Sequence, residues 1–234
     1  MKKTTCTLIL LLCATLSFAQ TSPIKHGISS SFNMANWIGK DAEEMVDAFS
    51  SAFSEMGMSG GSFTKGSRLG FSFGYFFQYR MNDVLVLQPE FNYTMRGANY
   101  SGDISFRDDY TGERYNFDTK IVYKLNYIEI PLLLKLKKLN QSYTSQFVLF
   151  GGPVISFLSS SKLMVEVSSG DDSDQEEEDF DEFEGTEFGY ILGIGIEFPS
   201  GITADARYYR GMGSVLDEAE IANSVMMVKL GFLF

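Results

Sequence analysis

The ionisable residues that could act together in this 234-residue chain sit at alternate positions within apolar runs. Glu90 and Arg96 share one parity with Gln88, Asn92 and Thr94. Arg68 and Arg80 bracket a similar run, and Glu129 with Lys135, Glu197, Asp205 with Arg207, and Lys229 repeat the arrangement farther along. On one shared surface, such carboxylates and bases could serve as an acid–base site, line an ion path or neutralise one another. Other catalytic ingredients are scarce. His26 is the only histidine, so no histidine-based triad or multi-histidine metal site can be built. Cys6 and Cys13 are the only cysteines, and both lie in an N-terminal segment that reads as removable. The chain also lacks a nucleophile elbow, a phosphate loop and zinc-ligand spacing. We therefore assign no catalytic residue, cofactor or metal, and expect no enzyme.

Two further stretches could bind something. From Asp171 to Glu184 the chain is dominated by Asp and Glu, interrupted by Phe180 and Phe183. Oxygen ligands suit calcium, but the tract lacks the glycine and terminal glutamate of a helix-loop-helix calcium site, so a solvated acidic loop is expected. Earlier, Asp41 to Phe53 places Ala42, Met45, Val46, Phe49 and Phe53 at helical spacing, and Asp41 is positioned to cap that helix. It could lie over neighbouring structure, or Met45, Phe49, Phe53 and Met56 could dock a partner, as could Phe180 and Phe183.

What must position these residues is a set of strands. From Arg68 to Arg80 the odd positions are Leu69, Phe71, Phe73, Tyr75, Phe77 and Tyr79, while the even ones are mostly small or polar. The same period of two recurs over 84–96, 188–198, 202–209 and 226–234, with further strands near 25–36, 120–137 and 144–158. This predicts an all-β fold of eight antiparallel strands. Short connections at Met81-Asn82-Asp83, Lys138 to Tyr143 and Pro199-Ser200-Gly201 alternate with long ones at 37–67, 97–119, 159–185 and 212–222. Strict alternation is the mark of an up-and-down transmembrane β-barrel, with short periplasmic turns and long extracellular loops. Tyr79, Tyr93, Tyr123, Tyr127, Tyr208 and Trp37 are candidates for the interfacial aromatic girdles.

In such a barrel the apolar faces meet lipid. The opposite faces then carry Arg68, Arg80, Glu90, Arg96, Glu129, Glu197, Asp205, Arg207 and Lys229, with Lys135, into the lumen. Eight strands leave room only for side chains, so an ion-paired plug is expected. A narrow channel for small solutes is the alternative use of the same charges, and a secreted or periplasmic β-sandwich binding protein is the alternative fold.

Residues 1–19 read as a signal peptide: Lys2 and Lys3, an apolar run centred on Leu8 to Leu12, and small Ser17 and Ala19 before a cut after Ala19. Residues 20–234 then form one barrel domain, exported to the outer membrane. The net charge of −11 argues against nucleic acid as a partner. Phe234 ends the chain on the apolar face of the last strand, and resembles the signal that outer-membrane assembly machinery recognises.

Gln88-Pro89-Glu90-Phe91, Tyr127-Ile128-Glu129-Ile130-Pro131-Leu132-Leu133-Leu134-Lys135, Gly151-Gly152-Pro153, the glycine-rich 189–195 and the Phe234 end resemble the PorT-like family of outer-membrane β-barrels of Bacteroidota. The resemblance spans nearly the whole mature chain. It implies an eight-stranded barrel in the outer membrane of a Gram-negative envelope, with lipid and the assembly machinery as partners. An unidentified envelope protein would join them if, as for some relatives, the role is in secretion or assembly.

Overall fold

The structure, a computed structural model, describes residues 24–58, 63–107, 110–137, 145–169, 172–180, 183–216 and 219–234. The leader, its cut, both cysteines and the 138–143 turn lie outside those residues. The elements are β1 (Ile24–Ile38), α1 (Lys40–Glu55), β2 (Thr64–Arg80), β3 (Leu85–Arg107), β4 (Arg114–Lys137), β5 (Gln146–Ser169), β6 (Asp172–Asp179), β7 (Thr186–Glu197), β8 (Ile202–Gly211) and β9 (Ala222–Leu233).

Eight of these strands close a ring. β1 pairs with β2 on one side and β9 on the other, each later strand pairs with its neighbour in turn, and β4–β5 and β5–β7 complete the circuit, all antiparallel. Closure leaves no open edge in the ring, which is the condition for strands to lie in lipid. The seam between first and last strands extends to the final residue, where Phe234 N–H donates to His26 O at 2.9 Å.

The period of two decides which way each strand faces. Phe32, Leu69, Leu192, Ile194, Val228 and Leu230 are each more than half exposed on the outside. Their neighbours of opposite parity are buried or half-buried. The outward apolar stretch runs from Ile24 to Met34 on β1, Leu69 to Tyr79 on β2 and Phe147 to Phe157 on β5. That matches the roughly nine to eleven residues a tilted strand needs to cross a bilayer. No helix among the described residues is long and apolar enough to do so.

The turns are built by local chemistry. Asn82 Oδ1 accepts from the N–H of Val84 at 2.9 Å and of Leu85 at 2.8 Å, an Asx-type turn between β2 and β3. Between β7 and β8, Gly201 takes a φ of 88°, a conformation glycine adopts without steric cost.

On the other side, the strands outrun the sequence reading. The expected loops at 97–119 and 159–185 are largely paired backbone: β3 and β4 stay in register to Arg107↔Arg114, and β4 with β5 to Asp118↔Ser168. A bulge at Ser159 makes the switch, since Tyr127 pairs with Leu158 but Asn126 with Ser160. The extra residue reverses which parity of β5 faces inward. Nor is the acidic tract wholly a loop, because Asp172–Asp179 is strand β6, paired with β5 outside the ring.

Candidate functional site

The lumen is charged, and its charges are layered. Nearest the short turns, Glu197 accepts from Lys135 Nζ at 3.1 Å and from Lys137 Nζ at 2.6 Å. Gln78 Nε2 donates to the same carboxylate at 2.8 Å and to Gln88 Oε1 at 2.9 Å. Gln88 passes the chain on to Glu90 Oε1 at 2.5 Å. Glu90, fully buried, anchors the second layer, where Arg207 Nη1 donates to it at 2.9 Å and Lys229 Nζ at 2.7 Å. Arg207 also pairs with Asp205 at 2.5 Å.

The third layer is built on Arg96. Its guanidinium pairs with Glu129 and donates to Glu187 Oε2 at 2.9 Å. Flat against it lies the Tyr209 ring, 3.6 Å from centroid to guanidinium carbon, with Tyr127 at 4.9 Å. Asn223 Nδ2 donates to the same Glu187 oxygen at 2.9 Å. By formal charge the third layer carries two carboxylates against one guanidinium, the second is balanced, and the first has two ammonium groups against one carboxylate. The column as a whole is neutral but polarised, positive towards the short turns.

Charge fills only part of the lumen. Leu133, Val148, Phe150, Val154 and Ile191 of β4, β5 and β7 pack with Ala35, Tyr209, Val225 and Met227 into a buried apolar cluster. Phe150 joins the two halves, lying 5.0 Å from the Arg207 guanidinium and 5.5 Å from Lys135 Nζ.

Above the third layer the mouth is roofed. Trp37, Phe63, Tyr100, Ile104, Ile121, Tyr123, Leu125, Tyr127 and Phe183 form a buried aromatic-rich cluster, and α1 lays Met45, Val46, Phe49 and Phe53 onto it. The Phe53 and Phe63 rings stack 5.3 Å apart, and Phe49 meets Tyr100 edge-on at 5.3 Å. α1 starts at Gly39 with no side-chain cap. Instead Asp41 Oδ2 accepts from Glu220 N–H at 2.7 Å, which ties the helix to the β8–β9 connection.

Several sequence expectations need correcting. Arg80 is not lumenal: it pairs with Asp83 in the turn, half exposed, because it lies one step beyond the enclosed column. Arg68 donates to the backbone oxygens of Arg96 and Leu125 and joins no lumenal carboxylate, its strand having slipped register against β3 between Ser67 and Ser72. Trp37, Tyr123 and Tyr127 point into the roof and lumen rather than to a girdle, whereas Tyr79 faces outward. Met45, Phe49, Phe53, Phe180 and Phe183 are turned into the roof, so they present no free docking stripe; Met56 stays exposed. Asp41 is not the cap. Glu90, Arg96, Glu129, Glu197, Asp205, Arg207 and Lys229 are brought together, with Glu187 and Lys137 as partners that the sequence reading passed over.

A closed antiparallel ring with an apolar belt and a charged interior is a transmembrane β-barrel. The sequence matches the family model described as outer membrane protein beta-barrel domain over residues 18–217, and the chain belongs to that family. It is an outer-membrane protein. Solved structures similar to it include Ail, the attachment invasion locus protein of Yersinia pestis, crystallised with the heparin analogue sucrose octasulfate. That match has 16% identity, 90% of this chain and 99% of that one covered, and a TM-score of 0.40. Neisserial surface protein A gives 14%, 91% and 98%, and 0.42. OprG of Pseudomonas aeruginosa gives 12%, 90% and 94%, and 0.28. No curated protein matches the sequence.

Proposed function

We propose that this protein is a non-enzymatic barrel whose extracellular face, rather than its lumen, does its work, by contact with another molecule of the envelope or its surroundings. The observation that carries this reading is the filling of the lumen, by layered ion pairs and by apolar side chains, beneath a roof of aromatic rings. A pore needs a column of water, and an acid–base site needs a carboxylate that substrate can reach; Glu90, Glu129 and Glu187 are each buried and committed to a base. What remains for encounter is the outward surface of α1, the β3–β4 hairpin and β6.

The PorT-like kinship that the Gln88 and Tyr127 motifs suggest supports a role tied to secretion or assembly at the cell envelope. On the same reading the leader is cut after Ala19, and the β9 strand with Phe234 is the handle for the assembly machinery. The test is conductance. Purified protein in planar bilayers is expected to give no sustained current at any voltage of either polarity. Steady openings whose size changes in Glu129→Gln or Arg207→Gln would overturn the proposal and make the channel the working function.

A further inference from the structure

Every strand of the ring has two neighbours, but β6 has one. Residues Asp172–Asp179 pair with β5 from Ser169 back to Lys162, and among the described residues nothing bonds to the other edge. It is a solvent-exposed row of backbone donors and acceptors, eight residues long, of the kind that other chains add to. Proteins commonly blunt such edges with lysine, proline or a bulge. This one carries carboxylates.

Those carboxylates divide by face. Glu177 lies on the face shared with Lys162 and Lys124, and pairs with both, at 2.8 Å to Lys162. Asp174, Glu176 and Glu178 lie on the other face, opposite Val167, Val165 and Leu163, and form no ion pair among the described residues. The strand therefore presents a free edge beside an alternating row of uncompensated negative charge. A second copy of the same edge would meet like charge directly opposite and be repelled. A segment with Lys or Arg at every second residue would place each cation beside a carboxylate while its backbone continued the ladder.

We infer that β6 is a docking edge for an extended, basic segment of another protein, added as a further strand. This rests on the reading of the extracellular face as the working surface and names the partner's chemistry. The edge supplies backbone hydrogen bonds, Asp174, Glu176 and Glu178 select the charge, and the ion pairs of Glu177 hold the strand ready.

The test uses the full-length protein in detergent and a labelled eight-residue peptide alternating lysine and valine, followed by fluorescence anisotropy. Binding should weaken about tenfold in Glu176→Lys/Glu178→Lys. It should weaken at least as much for a peptide of the same charge with proline in place of valine, which cannot donate to a ladder. The heat-shifted gel band shows that the variant is folded. Absence of binding, equal affinity of the proline peptide, indifference to charge reversal, or self-association of the protein through β6 would each overturn the inference. None of these bears on whether the lumen conducts, so the closed-barrel reading stands or falls separately.

Discussion

The lower lumen and the outer mouth are filled by different means. Between Glu197 and Arg96 charge pairs, most of them between different strands, share the interior with the apolar cluster around Leu133 and Phe150. From Trp37 upward it is held by rings and a helix, with hydrogen bonds at the margin. The difference follows from the surroundings. In the bilayer the outer face already meets hydrocarbon, so apolar burial alone sets the strand arrangement weakly; complementary charge on strands distant in sequence adds specific pairings across the lumen beside the apolar cluster. Beyond the lipid the outer face meets water, and ordinary apolar burial packs α1 and the extended strands. The lower region should therefore fail by loss of a partner and the upper by loss of volume.

Arg96→Met breaks the comparison most severely. It leaves Glu129 and Glu187 buried with no cation between them and strips Tyr209 and Tyr127 of the guanidinium they flank. Removing one partner from a buried network costs about 3–5 kcal/mol, and with two carboxylates stranded the upper end of that range is expected. The measurement is urea unfolding in detergent or vesicles, read by the heat-shifted band. Adding Glu129→Gln and Glu187→Gln to Arg96→Met should restore much of the loss. If the triple variant is no better than the single one, charge pairing is not what holds this layer.

Trp37→Ala tests the roof. The indole is fully buried against Tyr123 at 4.7 Å and Phe183 at 5.9 Å. Its loss should cost about 3 kcal/mol, felt as faster hydrogen exchange in α1 with exchange in the Glu90 layer unchanged. Equal acceleration in both would show one cooperative unit rather than two.

The two regions were also unequally legible in sequence. In the bilayer, alternation is enforced by lipid on one side, so the strand set, its parity and most of the plug could be read directly. Two partners were missed at the ends of runs: Glu187 precedes Phe188, where the apolar alternation begins, and Lys137 is its last residue. Both have the lumenal parity of Glu197 and Lys135; Glu187 stands one residue before the 188–198 run, whereas Lys137 already closes the 120–137 run and its parity alone marks it as lumenal. Arg80 erred the other way, its parity continuing past the enclosed column. Above the membrane neither face has a uniform solvent. The stretch 97–107 still alternates, but its apolar Ala98, Tyr100, Ile104 and Phe106 stand on the parity opposite to Phe91, Tyr93 and Met95, which reads as a break in the strand; the Ser159 bulge inverts parity, and β6 has no apolar residue from which a period could be read.

The smallest expected effect concerns β6 itself. Hydrogen bonds from Lys124 first and Lys162 next hold the Glu177 carboxyl down from its ordinary value near 4.5 to about 2. A carboxylate depressed in the folded state stabilises above its unfolded pKa, and that contribution disappears as pH falls through the folded one. The pairs should thus hold β6 at neutral pH and weaken between about pH 4.5 and 2. All three side chains are partly exposed, so water and salt screen the interaction, and the barrel as a whole should barely notice. Hydrogen exchange in 172–179 is the sensitive readout. Glu177→Gln should exchange faster than the parent at pH 7 and converge with it near pH 2, while the lumenal strands stay alike in both. If the two proteins exchange identically at pH 7, the backbone pairing with β5 alone holds the strand, and the lysines contribute nothing to its order.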